Sequence, residues 1–149
     1  MTARTGRALG VDLGSRRIGI ALSDPAGVVA TPRAVLERGD DAADDDRRIV
    51  ELAAELGADV IVVGLPRSLS GRLGPAARAV LAEVETIREI AAARGLSVET
   101  ADERFSTAVA QRGITAAQPR RRARRAARTE QVDAAAAAVI LQSWLEAHR

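Results

Sequence analysis

The chain contains no cysteine, no lysine and no tyrosine, one histidine and only two aromatic residues, Phe105 and Trp144. Each shortage removes a class of chemistry. Without cysteine there is no disulfide framework, no thiolate nucleophile and no zinc–thiolate site. The sole histidine, His148, is penultimate, where a surface position is expected. Neither a Ser-His-Asp arrangement nor a histidine metal site therefore has a basis, and Ser15, Ser68, Ser70 and Ser106 lack a general base. No apolar run approaches the roughly 18 residues that span a bilayer, and the first residues lack a secretory signal's apolar stretch. A cytoplasmic chain with no membrane contact is expected. The scarcity of aromatics leaves Val, Ile, Leu and Ala to build the core and provides no platform for base stacking.

What is present suffices for a globular protein. The 149 residues are 47% hydrophobic, enough for one domain (residues 1–149) with a real core. The formal net charge of +2 hides an uneven distribution: five aspartates lie between Asp40 and Asp46, and six arginines between Arg120 and Arg128. Every one of the 22 basic residues is arginine, which keeps its charge where lysine would titrate. These numbers permit a nucleic-acid partner.

Ala8–Leu13 and Arg17–Ser23 flank a Gly14-Ser15 turn and read as a hairpin. Val28–Leu36 is a third extended segment, in which Pro32 argues for an edge strand or a bulge. The acidic run Asp40–Asp46 suits a helix start, where negative charge is favourable. That helix shows Ile49, Leu52, Ala53 and Leu56 at helical spacing and stops at Gly57. Val60–Val63 reads as a buried strand feeding the loop Gly64-Leu65-Pro66. Pro75–Ala93 reads as a second helix ended by Gly95, and Ser97–Ala101 as another strand. Ser106 is placed to cap a short helix to Arg112, and a last helix is expected from about Thr129 to Ala147. Hairpins first and β-α alternation afterwards imply an α/β fold, a mixed central sheet flanked by helices.

With the nucleophiles set aside, carboxylates carry the chemistry. Asp12 interrupts the apolar strand Leu9-Gly10-Val11-Asp12-Leu13-Gly14, where a carboxylate is costly unless paired, hydrogen-bonded or metal-bound. An Asx-turn helped by Gly14 and Ser15 would also place aspartate there. Glu103 follows the strand at Ser97–Ala101, in Asp102-Glu103-Arg104-Phe105. Only one of these two adjacent acids can face a given side of an extended chain, and a polar strand-end loop is the plain alternative. Asp133 shares a helical face with Ala137, Ile140 and Trp144, although an acid near a helix start is also simply dipole-favoured. Together, two strand-end acids and one helix acid can converge at one edge of a sheet. Clustered carboxylates raise one another's pKa unless a cation intervenes, and oxygen-only ligands suit Mg²⁺ or Mn²⁺. Metals about 3.5–4 Å apart serve phosphodiester hydrolysis.

Four ordered segments carry a resemblance. Gly10-Val11-Asp12-Leu13-Gly14-Ser15-Arg16-Arg17-Ile18-Gly19-Ile20-Ala21 resembles the opening hairpin of the YqgF family, the RuvX-type Holliday-junction-resolvase-like proteins and pre-16S rRNA nucleases. Val63-Gly64-Leu65-Pro66 with Gly71 and Gly74-Pro75 resembles its second motif. Asp102-Glu103-Arg104-Phe105-Ser106-Thr107 resembles its third, and Asp133-Ala134-Ala135-Ala136 with Ile140-Leu141-Gln142 its fourth. The match runs from about Leu9 to Leu145. The resemblance implies an RNase H-like fold, a divalent-metal site with catalytic carboxylates at Asp12, Glu103 and Asp133, and maturation of the 5′ end of 16S rRNA. In departure from the family pattern, Arg67-Ser68-Leu69-Ser70 is more basic, and Arg122, Arg124 and Arg125 replace the lysines expected before the last acid; the charge is kept.

For substrate contacts the candidates are Arg16 and Arg17 in the first turn, Arg104 beside Glu103, and Arg121, Arg122, Arg124 and Arg125 in the basic run. Arginine forks onto phosphate oxygens, though the run would equally serve as a solvated arm. The loop Gly64–Gly74 leads into a helix N-terminus, either an anion site or an ordinary strand–helix connection. Pre-rRNA, branched DNA and ribosomal precursor particles are the partners to consider, and a junction resolvase would require a two-fold dimer. Two readings from other classes compete. An actin-like or sugar-kinase ATPase lobe opens with a similar Asp-x-Gly-Ser hairpin but needs a second lobe, and a non-catalytic RNA-binding assembly module would not need three acids.

Overall fold

The structure, a computed structural model, describes residues 6–66, 74–102 and 122–148, with the backbone alone described for 122–132. The chain runs β1 (Arg7–Leu13), β2 (Arg17–Ser23), β3 (Ala30–Glu37), α1 (Ala42–Glu55), β4 (Ala58–Leu65), α2 (Pro75–Ala93), β5 (Ser97–Asp102) and α3 (Arg122–Ala147). The five strands form one sheet in the order β3-β2-β1-β4-β5. β1 pairs antiparallel with β2, and β2 with β3, whereas β1–β4 and β4–β5 are parallel. Hairpins can close antiparallel pairs, and crossover helices must return the chain for parallel ones, which is why α1 and α2 appear where they do.

The alternation of each strand divides the core into two layers. Leu9, Val11, Ile18, Ile20, Ile61, Val63 and Val98 point to one face and meet Ile49, Val50 and Ala53 of α1 and Val80, Val84 and Ile87 of α2. Ala8, Ala21, Val60 and Val62 point to the other and meet Ala137, Leu141, Trp144 and Leu145 of α3. The hydrophobic period of two thus shows directly as a sheet covered on both sides. Asp41 caps α1, its side chain accepting from the Ala43 amide at 3.0 Å, with Asp44 and Asp45 in the first turn. Helices α1 and α2 end before Gly57 and Gly95, both in the left-handed region at φ +76° and +73°, where glycine carries no Cβ penalty.

Several expectations hold with shifted boundaries. β3 is an edge strand and its register with β2 slips between Ile20 and Ala21, opposite Pro32. The proline therefore sits at both an edge and an irregularity, as its missing N–H requires. β3 begins at Ala30 because Val28 and Val29 belong to the preceding turn, their amides donating to Asp24 Oδ1 at 2.7 and 2.9 Å. The last helix begins at Arg122, seven residues before the expected Thr129, since Ala and Arg favour helix even where no apolar stripe marks it. The short helix expected from Ser106 to Arg112 lies outside the described residues.

α3 lies unusually close to the sheet. A Cβ built on Gly10 would stand 2.7 Å from Leu141 Cβ and 2.9 Å from the Ala137 carbonyl oxygen. One built on Gly19 would stand 2.1 Å from the Asp133 carbonyl oxygen. Gln142 ties the helix to the start of β3, accepting from the Ala30 amide and donating to the Val28 carbonyl, each at 2.9 Å. Trp144 Nε1–H donates to Glu99 at 3.2 Å. Because the Gly19 obstruction is backbone, a side chain there must displace the helix. Gly19→Ala is expected to destabilise the protein by about 3 kcal/mol, the upper end of the overpacking range. Urea unfolding checks this, and an unchanged midpoint would show that α3 tolerates a wider seat.

Candidate active site

Asp12 lies in β1 and is 5% exposed. Its face follows from its neighbours two residues back: Ala8 packs in the α3 layer and Gly10 abuts Leu141, so Asp12 projects on the α3 side. Its cross-strand partner is Gly19, the residue on which the Asp133 backbone rests. Directly paired antiparallel residues share a face and lie about 4.5–5.5 Å apart at Cα. The turn of β1–β2 and the close seat of α3 therefore bring Asp12 and Asp133 together from distant points in the chain. Gly14, Ser15, Arg16, Arg17 and Asp133 line one cavity of about 240 Å³. Of the sequence candidates, Asp133, Arg16 and Arg17 thus share this cavity, and Asp12 reaches the same edge through its pairing with Gly19. Arg17 also pairs with Glu37 at 3.5 Å across the β2–β3 ladder.

The third carboxylate is narrowed by parity. Asp102 ends β5 opposite Leu65 and shares the parity of Val98, which packs with α1 and α2. Glu99 and Ala101 stand on the α3 side instead, through Trp144 and the α3 cluster. Asp102 is consequently turned away from the face that carries Asp12 and Asp133. Glu103, Arg104 and Arg121 lie outside the described residues, and Arg122, Arg124 and Arg125 lie where only the helical backbone is described. Residues 67–73 of the Gly64–Gly74 loop also lie outside the described residues. Among the described residues, no group of three or more His, Cys, Asp or Glu stands close enough to hold a metal ion. His148 is remote from this edge, stacked on Trp144 at 4.3 Å between ring centroids.

Sequence reasoning missed a buried charged cluster behind the turn. Arg38 spans it: Nε donates to the Gly14 carbonyl at 2.8 Å, and Nη1 and Nη2 donate to Glu83 Oε2 and Oε1 at 2.8 and 2.9 Å. Asp45 accepts from the Gly39 amide at 2.9 Å and from Arg48 at 2.8 Å. Asp45 and Asp46 are each 1% exposed, and Asp46 shares a hydrogen bond with Glu83. The aspartate run signals a helix start, but nothing in one sequence says which of its members turn inward.

Burial pushes the Asp46 carboxyl up to about 8, reinforced by the hydrogen bond and negative charge of Glu83. Burial acts upward on Glu83 and Asp45 too, but their donors outweigh it and both end below the ordinary range: Arg38 and Asp46 for Glu83, and the Gly39 amide, Arg48 and Arg38 for Asp45. The shared proton therefore resides on Asp46. Between about pH 4 and pH 8 the unfolded chain has lost this proton while the folded chain keeps it, so stability falls as pH rises through that window. Asp46→Asn, which can still donate to Glu83, is expected to flatten the decline and to be more stable than wild type at pH 8. Urea titrations from pH 5 to 8 measure this; parallel profiles would contradict it.

The architecture matches a known class. RuvC from Thermus thermophilus in complex with a Holliday junction substrate superposes with a TM-score of 0.56 at 16% identity, over 95% of this chain and 94% of that one. A further Thermus thermophilus RuvC structure gives 0.55, also at 16% identity. The protein thus has the RNase H-like fold, a mixed sheet flanked by helices. The family model described as RuvX: Holliday junction resolvase matches residues 6–147. A protein of Mycobacterium sp. (strain KMS) is 43% identical over 145 residues, covering 97% of this chain and 82% of its own length. One from Mycolicibacterium paratuberculosis is 45% identical with the same coverage, and one from Mycobacterium tuberculosis is 44% identical over 95% of this chain and 79% of its own. All three bear the name "Putative pre-16S rRNA nuclease". The chain belongs to the RuvX family and is a hydrolase acting on the ester bonds of nucleic acid.

Proposed function

We propose that residues 1–149 form one cytoplasmic, divalent-metal-dependent nuclease domain that trims the 5′ end of pre-16S rRNA on ribosomal precursor particles. The observation that carries the site is the Asp12–Gly19–Asp133 juxtaposition. Asp12, Glu103 and Asp133 are the catalytic carboxylates in this reading, and the relatives' shared name supports the substrate. The donor chemistry fits a hard cation: Asp12 and Asp133 offer only oxygen, Asp133 lines the cavity and Asp12 pairs with Gly19 beneath it, and Glu103, the residue after Asp102 in the sequence, is the third carboxylate in this reading. Mg²⁺ or Mn²⁺ held there supplies Lewis-acid activation of water and stabilises the leaving oxygen. The protein's own part is to hold the three carboxylates in a fixed relation and to seat the phosphate. Arg16 and Arg17 line the cavity and, with Arg104, bind phosphate next to the acids. Arg121, Arg122, Arg124 and Arg125 track the strand further out. The backbone of α3 continues eleven residues N-terminal to Asp133, about 16 Å of helix at 1.5 Å per residue, at the end of the sheet that carries Asp12.

The family description favours a second reading, cleavage of Holliday junctions. Such an enzyme cuts two symmetric strands and works as a two-fold dimer. Cleavage of matched RNA, duplex DNA and four-way-junction substrates by the pure protein separates the readings: preference for precursor RNA supports the first, and paired symmetric cuts in the junction the second.

Asp12→Asn is expected to abolish cleavage of every substrate while the protein remains folded, because one shared ligand is lost. Full activity in that variant would rule out the site. Mg²⁺ or Mn²⁺ should raise the melting temperature of the wild type but hardly that of Asp133→Asn, since an ion that binds only the folded state stabilises it by mass action. Equal shifts would reduce Asp133 to a helix-start acid.

The basic run has its own signature. Replacing Arg121, Arg122, Arg124 and Arg125 by Gln is expected to weaken binding to all sequences alike. It should also flatten the log–log salt dependence by up to about 0.9 per lost contact on duplex DNA, or about 0.7 on single strands, with cleavage at saturating substrate largely kept. Filter-binding titrations at several salt concentrations read this, and an unchanged slope and affinity would make the run an idle, solvated arm.

A further inference from the structure

The turn that borders the site is held from behind by one residue. Its conformation is tight: the Gly14 amide donates to the Arg17 carbonyl at 2.9 Å, and a Cβ on Gly14 would stand 2.6 Å from that same oxygen. Two of the turn's carbonyls face residue 38. The Arg38 amide donates to the Arg16 carbonyl at 2.9 Å, and Arg38 Nε donates to the Gly14 carbonyl at 2.8 Å. The rest of the guanidinium forks onto both oxygens of Glu83 on α2 and stands 3.6 Å from Asp45 Oδ2 on α1. The Arg38 and Glu83 side chains are 16% and 14% exposed, so this clamp works largely out of water, where charge-assisted hydrogen bonds are strong and directional.

We infer that Arg38 is a positioning residue for the nuclease reaction: braced by Glu83 and Asp45, it fixes the Gly14–Arg17 turn against Asp133 and so sets the alignment of phosphate over the carboxylates. The inference rests on the Asp12–Asp133 site of the preceding subsection. Arg38 touches neither the cavity nor the two acids, and acts through the turn. A fork is required for this. Guanidinium has donors enough to serve Gly14 and both Glu83 oxygens at once, whereas a lysine ammonium on a flexible stem cannot span the same three acceptors in that geometry. The inference also assigns a use to a costly feature, the inward-facing carboxylates at the start of α1 and the middle of α2. Buried acids of this kind are tolerated when they hold a cation in one place.

The test compares wild type with Arg38→Lys, Arg38→Gln and Glu83→Gln, the last leaving Arg38 present but releasing its charged brace. Two readouts are taken: amide hydrogen exchange at Gly14, with Ile61 and Val62 as core controls, and steady-state cleavage of a fixed single-stranded RNA. Exchange at Gly14 is expected to quicken at least about tenfold in all three variants while the core amides hold. The expected kinetic change is a fall of about 10–100-fold in kcat with KM within about threefold, the pattern of misalignment rather than lost binding. Arg38→Lys should not rescue, although it keeps the charge. Wild-type exchange and kcat in a folded Arg38→Gln or Glu83→Gln protein would overturn the inference, as would quickened exchange with unchanged kcat, or full rescue by lysine. If Arg38→Gln fails to fold, Glu83→Gln decides alone. Asp12→Asn is run alongside: activity retained there would sink the site itself, a result separate from the Gly14 exchange that reports on the clamp.

Discussion

The structure depends on how closely one helix can approach one sheet. α3 rests on Gly10 and Gly19, at distances no side chain would permit, and its own contact face is built from Ala134, Ala137, Ala138 and Leu141. Small residues on both sides let the helix and sheet close on one another, with Trp144 the one aromatic in the layer among the described residues. The layer is thin, and its dispersion contacts are correspondingly close. The same approach has a chemical consequence, because the helix backbone that meets Gly19 belongs to Asp133, and the strand residue paired with Gly19 is Asp12. One packing constraint therefore also places the two acids at the same edge, where the apolar layer ends, and it is on this placement that the proposed site rests.

The opposite face of the sheet solves a different problem. There the aliphatic layer of α1 and α2 is complete around Ile49, Val50, Val84 and Ile87, and the charged cluster of Arg38, Asp45, Asp46 and Glu83 closes its edge. Two of its carboxylate oxygens, Asp45 Oδ2 and Asp46 Oδ1, are buried without a hydrogen bond among the described residues, so the arrangement carries an energetic cost. A cluster of apolar residues at that edge would be cheaper but would leave the Gly14 carbonyl without the guanidinium that holds the turn.

The layers were legible in the sequence because their signals are local. The apolar run Ala8–Leu13, the alternation in Arg17–Ser23 and the branched run Val60–Val63 report strands, and Gly57 and Gly95 report helix ends. Asp12 stood out because a carboxylate inside an apolar strand needs a reason. Its partner Asp133 was legible as an acid on an apolar helix face, but their meeting was not, since it depends on the seat of α3 across Gly19. Which of Asp102 and Glu103 would face the α3 layer could not be read from two adjacent acids; Val98 and Ala101 turn Asp102 toward α1 and α2, and Glu103 lies outside the described residues. Arg38 carried no signal at all: it is one arginine among many, and its role arises from three side-chain acceptors, the Gly14 carbonyl and the two Glu83 oxygens, that only the fold brings together. The early start of α3 was missed because its first turns have helical propensity without an apolar stripe.

In the proposed function Asp12 and Asp133 form one divalent-cation site, distinct from the buried cluster of Asp45, Asp46 and Glu83. Paramagnetic broadening of backbone amide signals by substoichiometric Mn²⁺ tests it without recourse to activity. Selective loss of signals from residues 12–19 and 133–134 is expected, with the amides of Asp45, Asp46 and Glu83 retained. Broadening centred on Asp45, Asp46 and Glu83, or spread evenly over the surface carboxylates, would contradict it.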